Sequence, residues 1–224
     1  MNIFDIIGPV MIGPSSSHTA GAARIGKVCR EILGEEVVKA EIGFCGSFAK
    51  TGKGHGTDKA IVAGLLGMNP DDERLADSFD IAKERGLQWS ISEINLSRAH
   101  PNTAKLKLTG KNGKQCAVQG SSIGGGNIII TNVNEMETSF NGGADTLIIP
   151  HKDISGMIAS VTSQMAFAGI NIGNFKLNRP HKGFQAVMTM EIDGTISDDA
   201  VAHLAALPHI DSVVLLRAHK NEEV

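Results

Sequence analysis

A chain of 224 residues, 42% hydrophobic and 20% charged, is ordinary globular material, long enough for one large domain or two small ones. A formal net charge of -3 and a pI near 6.2 supply none of the clustered Lys and Arg that a nucleic-acid backbone requires, so no nucleic-acid partner is expected. No run approaches the roughly 20 apolar residues that span a bilayer, and residues 1–7 lack the basic start and small-residue cleavage site of a signal peptide. The expectation is a cytoplasmic protein with no membrane partner.

Taken in chain order, the first feature is Gly13-Pro14-Ser15-Ser16-Ser17-His18-Thr19, a Pro-bounded turn crowded with small polar groups. Behind it Ala22, Ile25, Val28, Cys29, Ile32 and Leu33 recur at three- and four-residue spacing, which predicts an amphipathic helix ending near Gly34. Alternation through Val38, Ala40, Ile42 and Phe44 predicts a strand, which runs into a glycine-bearing loop over 46–56 and then a helix over 57–66. Asn69-Pro70-Asp71-Asp72 signals a charged surface helix to about Arg85. Trp89, Ile91 and Ile94 suggest a further strand. The runs 104–108 and 115–118 flank Lys111-Asn112-Gly113-Lys114, and Asn-Gly between alternating runs is a strong hairpin signal. Residues 121–126 read as a flexible loop before the apolar run 128–130.

Asn141-Gly142-Gly143-Ala144 breaks the pattern, and the expected division is a first domain over 1–143 and a second over 144–224. The second reads as strand 146–149, helix 154–168, strands 172–177 and 185–192, helix 198–207 and strand 212–216. That βαββαβ order in about 75 residues predicts a ferredoxin-like unit with both helices on one face of an antiparallel sheet. The fold class is therefore α/β (α+β).

Three places in the first domain carry chemistry. Free amides at a helix start, together with the positive end of the helix dipole, form an anion site. Ser15, Ser16, Ser17, His18 and Thr19 stand at such a start, although a single Ser suffices for an N-cap worth about 1 kcal/mol. Lys53-Gly54-His55-Gly56-Thr57-Asp58 sets a second histidine between glycines at another helix entry, where a base that titrates near neutrality is within a ligand's reach. The third is Ser121-Ser122-Ile123-Gly124-Gly125-Gly126-Asn127, whose hydroxyls and unobstructed amides suit a small anion; a plain hairpin connection is the alternative.

Other motifs fail. Counting from Gly46, Gly52 falls one place late for a phosphate loop and Gly54 stands where Ser or Thr must follow the Lys; the glycines 52, 54 and 56 also miss the GxGxxG spacing. His100-Pro101-Asn102 reads as a strand-entry turn. The eight histidines are scattered, and Cys29, Cys45 and Cys116 form no CxxC pair, so metal chemistry needs another subunit and the thiols are expected buried and free.

The ordered set Ile-Gly-Pro-Ser-Ser-Ser-His-Thr, Lys-Gly-His-Gly-Thr-Asp, Ser-Ser-Ile-Gly-Gly-Gly-Asn and the C-terminal βαββαβ unit closely resembles the beta chain of the iron-sulfur-dependent L-serine dehydratases. The resemblance covers essentially the whole chain. It implies β-elimination of L-serine to pyruvate and ammonia without pyridoxal phosphate, and a [4Fe-4S] cluster held by the cysteines of an alpha chain or domain. It makes Ser15, Ser16, Ser17 and Thr19 substrate-binding, with Ser122, Gly124, Gly125 and Asn127 as further contributors, and leaves His55 and His18 as competing candidates for the base. The first domain is similar to the allosteric substrate-binding domain of some D-3-phosphoglycerate dehydrogenases. The second is similar to an ACT domain, which implies homodimerisation and a regulatory site at Asp153, Gly156 and Asn171. The rival reading is a serine-sensing regulatory protein with no chemistry of its own.

Overall fold

The computed structural model describes residues 11–218; residues 1–7, read above for a leader, lie outside them. Two compact units meet between Glu135 and Met136. In the first, strands β1 (Val37–Gly46), β2 (Gln88–Glu93), β3 (Asn102–Gly110), β4 (Gln115–Gly124) and β5 (Asn127–Val133) form a sheet in the order β2-β1-β3-β4-β5. β2 pairs parallel to β1, and the other neighbours are antiparallel. Register places Ile42 opposite Leu106 and Leu106 opposite Val118, so these apolar residues share one face. Helix α1 (Gly21–Leu33) lays the predicted stripe of Ile25, Val28, Cys29, Ile32 and Leu33 on that face, fully buried. The opposite face carries Lys39, Glu41, Lys105 and Lys107, the alternation of a sheet covered on one side.

Helix α3 (Thr57–Leu65) crosses α1 with almost no side chain between them. A methyl group on Gly26 would strike the Ile61 carbonyl, and one on Gly64 the Ala23 carbonyl. The expected loop over 46–56 is instead helix α2 (Ser47–His55). Gly52 and Gly54 weaken its local propensity, but tertiary contacts prevail. Phe48 is buried against Phe44, with ring centroids 5.8 Å apart, and such burial is worth about 1.5–3 kcal/mol. The Pro101 carbonyl accepts from the leading amide of Ser47 at 2.7 Å. Gly46, at φ 57°, makes the sharp exit from β1 that this requires.

The region expected as one helix to Arg85 splits into a 3₁₀ turn over Glu73–Asp77 and α4 (Ser78–Glu84), because Asp72 caps the turn by accepting from the Arg74 amide. The loop expected over 121–126 is also corrected: β4 continues through Gly124, with Ser121 paired to Thr103 and Ser122 to Ile128. All three cysteines are buried and free.

The second unit begins with β6 (Met136–Phe140), which the sequence reading did not contain. β6 packs on β8 and β9, and Thr138 Oγ1 lies 2.7 Å from Thr189 Oγ1. The Asn141-Gly142-Gly143 turn, where a boundary was expected, therefore connects elements inside this unit. β7 (Asp145–Lys152), α5 (Met157–Phe167), β8 (Ile172–Asn178), β9 (Gln185–Ile192), α6 (Asp198–Ala205) and β10 (Val214–Leu216) follow, with the antiparallel order β10-β7-β9-β8. This is the ferredoxin-like arrangement expected. Its core joins Leu147, Ile149, Val161, Met188, Met190 and Leu204.

Candidate active site

The polar turn enters α1 as one wide π-helical turn, Ser16–Ala20, capped by Ser15. Ser15 Oγ accepts from the His18 amide at 3.2 Å and the Ser15 carbonyl accepts from the Thr19 amide at 2.8 Å. The amides of Ser16 and Ser17 have no partner among the described residues. They are the orphan donors of a helix start, flanked by two half-buried hydroxyls. One serine caps and two remain for an anion.

The turn and α2 bring the two candidate histidines together, with ring centroids 4.8 Å apart. Phe48 braces the His18 ring from the side at 5.4 Å, and Thr19 Oγ1 donates to the His55 carbonyl at 3.1 Å. Hydrogen-bond accounting then separates the rings. Thr51 Oγ1 has one proton and donates it to the Ser47 carbonyl at 2.9 Å. Toward His18 Nε2, 3.0 Å away, it is then assigned as the acceptor and that nitrogen as the N–H. Ser47 Oγ lies 3.1 Å from the same nitrogen. His18 Nδ1 faces Ser15 Oγ at 3.4 Å, and this hydroxyl, already accepting from the His18 amide, has its proton to give. Both nitrogens of His18 are thus occupied.

His55 is arranged the other way round. Its Nδ1 lies 3.0 Å from the Thr51 carbonyl, which only accepts, so Nδ1 carries hydrogen. The lone pair of the neutral ring then resides on Nε2, which has no partner among the described residues. Burial first, and the neighbouring His55 ring second, hold the His18 imidazole below its ordinary pKa; a backbone hydrogen bond at Ser47 opposes them more weakly. The arrangement provides a neutral, fixed His18 beside a His55 able to take a proton.

Ser122 is fully buried, and its Oγ has no partner. It packs against the Cα of Gly21, where any side chain would collide with it, so β4 meets the first turn of α1 there. Gly124, Gly125 and Gly126 make the turn to Asn127, all three at positive φ, and the Gly126 carbonyl accepts from Arg24 Nη1 at 3.0 Å. Ser47 and Thr51 escaped the sequence reading. With His55 they stand at four-residue intervals on one helical face, a signal hidden by reading 46–56 as a loop.

In the second unit Asp153 and Gly156 line a cavity of about 850 Å³ at the turn from β7 to α5, together with Ser155, Arg179 and Gly183. Asp153 accepts from the Gly183 amide at 2.8 Å and from Arg179 Nη1 at 3.3 Å. The Gly183 amide is the main reason its carboxyl is held below the ordinary value, with Arg179 and His151 adding to it. His151, also lining the cavity, gives Nδ1–H to the Lys152 carbonyl at 2.9 Å; its buried Nε2 has no partner. Asn171 is not brought to this cavity. It lies at the other end of the sheet, before β8, donating to Asp193 Oδ2 at 2.6 Å.

Two adjacent imidazoles at a helix start with unpartnered amides, in an α/β unit followed by a ferredoxin-like one, are what this fold and site define. The family model described as "Serine dehydratase beta chain" matches residues 2–88. The chain is 44% identical to the probable L-serine dehydratase, beta chain, of Bacillus subtilis (strain 168), over 95% of this chain and 96% of that one. It is 39% identical to the L-serine dehydratase, beta chain, of Peptoniphilus asaccharolyticus, over 87% and 88%. D-3-phosphoglycerate dehydrogenase of Bacillus subtilis (strain 168) is 27% identical over 87% of this chain and 37% of its own length. The chain belongs to the L-serine dehydratase beta-chain family.

Proposed function

We propose that this chain is the beta subunit of an L-serine dehydratase, a lyase that works with an alpha chain to convert L-serine to pyruvate and ammonia in the cytoplasm. The observation that carries the reading is the opposed arrangement of the two imidazoles, which leaves one lone pair, on His55 Nε2, for proton abstraction. The Ser16 and Ser17 amides and hydroxyls hold the substrate carboxylate at the helix start, with Thr19 behind them, its proton given to the His55 carbonyl, and the 122–127 segment nearby in the reading. His55 Nε2 takes the Cα proton, the Cβ–O bond breaks, and the electrons of the C–H bond become the Cα=Cβ bond of aminoacrylate. The Cβ–O electron pair leaves with the hydroxyl, which takes up one proton, the equivalent of the one removed from Cα, and departs as water. Tautomerisation gives the imine, whose hydrolysis consumes one water and releases pyruvate and ammonia.

The family resemblance brings a [4Fe-4S] cluster and no pyridoxal phosphate to this chemistry. Residues of this chain do not fit the cluster as ligands: among the described residues no three His, Cys, Asp or Glu side chains converge, and Cys29 and Cys116 are thiols whose pKa burial pushes up, to about 11 for Cys116. The reading assigns the cluster to the cysteine-rich alpha chain.

The second unit is read as an ACT domain that pairs with another copy and binds L-serine at the Asp153 and Gly156 turn. The cavity there, its helix start at Gly156 and the unpartnered His151 Nε2 support this. Anaerobic co-purification with the alpha chain, followed by a pyruvate assay, tests the whole reading. Pyruvate formation from L-serine supports it; a cluster-loaded complex that binds serine but makes no pyruvate replaces it with the regulatory alternative.

A further inference from the structure

We propose that Thr51 is the positioning residue that sets the two imidazoles in opposite tautomers, an inference that rests on the lyase reading for its catalytic meaning alone. Thr51 touches both rings by different atoms. Its hydroxyl oxygen meets His18 Nε2 at 3.0 Å, and its carbonyl oxygen meets His55 Nδ1 at 3.0 Å. The hydroxyl proton is committed to the Ser47 carbonyl at 2.9 Å, which makes the oxygen an acceptor for His18.

The α-helix supplies the geometry. Residues four apart stack on one face, so the Ser47 carbonyl lies behind the Thr51 side chain and the Thr51 carbonyl lies beneath the His55 ring. The first bond orders the hydroxyl, the hydroxyl orders His18, and the carbonyl orders His55. His18 Nε2 is thereby a donor and His55 Nε2 an acceptor, although the rings lie side by side at 4.8 Å. Ser47 Oγ, at 3.1 Å from His18 Nε2 and 3.3 Å from Thr51 Oγ1, completes the cluster, but it neither orders the Thr51 proton nor touches His55. Its carbonyl does the ordering.

The side-chain and main-chain roles are separable. Thr51→Val keeps the shape and the carbonyl and removes the hydroxyl; Thr51→Ser restores it. Nitrogen-15 NMR of the full chain labelled at histidine, recorded above the histidine titration range, reads each tautomer directly. In the parent, His18 is expected as the Nε2–H form and His55 as the Nδ1–H form. In Thr51→Val, His18 becomes a tautomer mixture while His55 is unchanged, and Thr51→Ser returns the parent spectrum. Ser47→Ala leaves both forms in place.

In the complex with the alpha chain, Thr51→Val is expected to lower kcat about 10- to 100-fold with little change in KM, the scale of a misplaced acid–base group, and Thr51→Ser to stay within about threefold. An unchanged His18 tautomer in Thr51→Val, the same tautomer for both rings in the parent, or a mixture produced by Ser47→Ala overturns the assignment. A parent complex without turnover defeats the lyase reading instead, and the spectra still decide the role of Thr51.

Discussion

His18 and His55 have the same side chain and neighbouring positions, and their surroundings give them different work. His18 has both nitrogens engaged and its charged form disfavoured by burial and by the second ring; His55 has one nitrogen fixed and the other unengaged. Replacing His55 by Ala in the cluster-loaded complex is expected to reduce kcat by about 10²–10⁴, the usual worth of a positioned base, with cluster content retained in the visible spectrum. Near-parental turnover would remove His55 from the role. The lowered pKa of His18 also has a stability consequence. Above the ordinary imidazole value of 6.5 both folded and unfolded chains hold the ring neutral; as pH falls through that value the unfolded chain takes a proton that the folded chain resists, and stability declines until the lower folded pKa is passed. Melting temperatures recorded between neutral and mildly acidic pH should fall more steeply for the parent than for His18→Asn.

At the scale of elements, the site depends on where α1 and α2 begin. α1 reaches the sheet with its first turn tight against β4, where Gly21 meets Ser122, and α3 fixes its course through the Gly26 and Gly64 crossing. Gly64→Ala forces backbone apart from backbone. Its expected cost is toward the upper end of the about 1–3 kcal/mol seen for overpacking, read as a drop in denaturant midpoint at constant slope; an unchanged midpoint would show that the crossing yields easily. The stripe of α1 and the alternation of β1 were legible because one face of each is buried and the other is not. α2 was not legible: its glycines argue for a loop, and the packing of Phe48 against Phe44 and the edge of His18, with the Pro101 carbonyl at its start, outweighs them. β4 beyond Val118 was missed for a similar reason. Ser121 and Ser122 have little strand propensity and are held by pairing to β3 and β5.

At the scale of the molecule, two compact units divide the part read as catalytic from the part read as regulatory. None of the helices among the described residues is long and apolar enough to cross a membrane. Phe167, at the end of helix α5 and on the side away from the buried Met157, Val161 and Met165, is 92% exposed on the second unit, an apolar group that pairing with a second copy would cover. Phe167→Asp is expected to lower the mass seen in sedimentation from dimer toward monomer without loss of helical content. A monomeric parent, or a variant that remains dimeric, would take Phe167 out of the assembly.

The order of motifs, the apolar periodicities and the βαββαβ pattern were determined by the sequence, because each rests on neighbours a few residues apart and on which side of an element meets water. Which serine caps and which two face a ligand, which imidazole keeps a lone pair, and the separation of Asn171 from Asp153 were decided only by the tertiary structure. Those are questions of distance between atoms up to 37 residues apart in the chain, from His18 to His55, and a hydrogen bond exists or fails within a fraction of an ångström that spacing along the chain does not set.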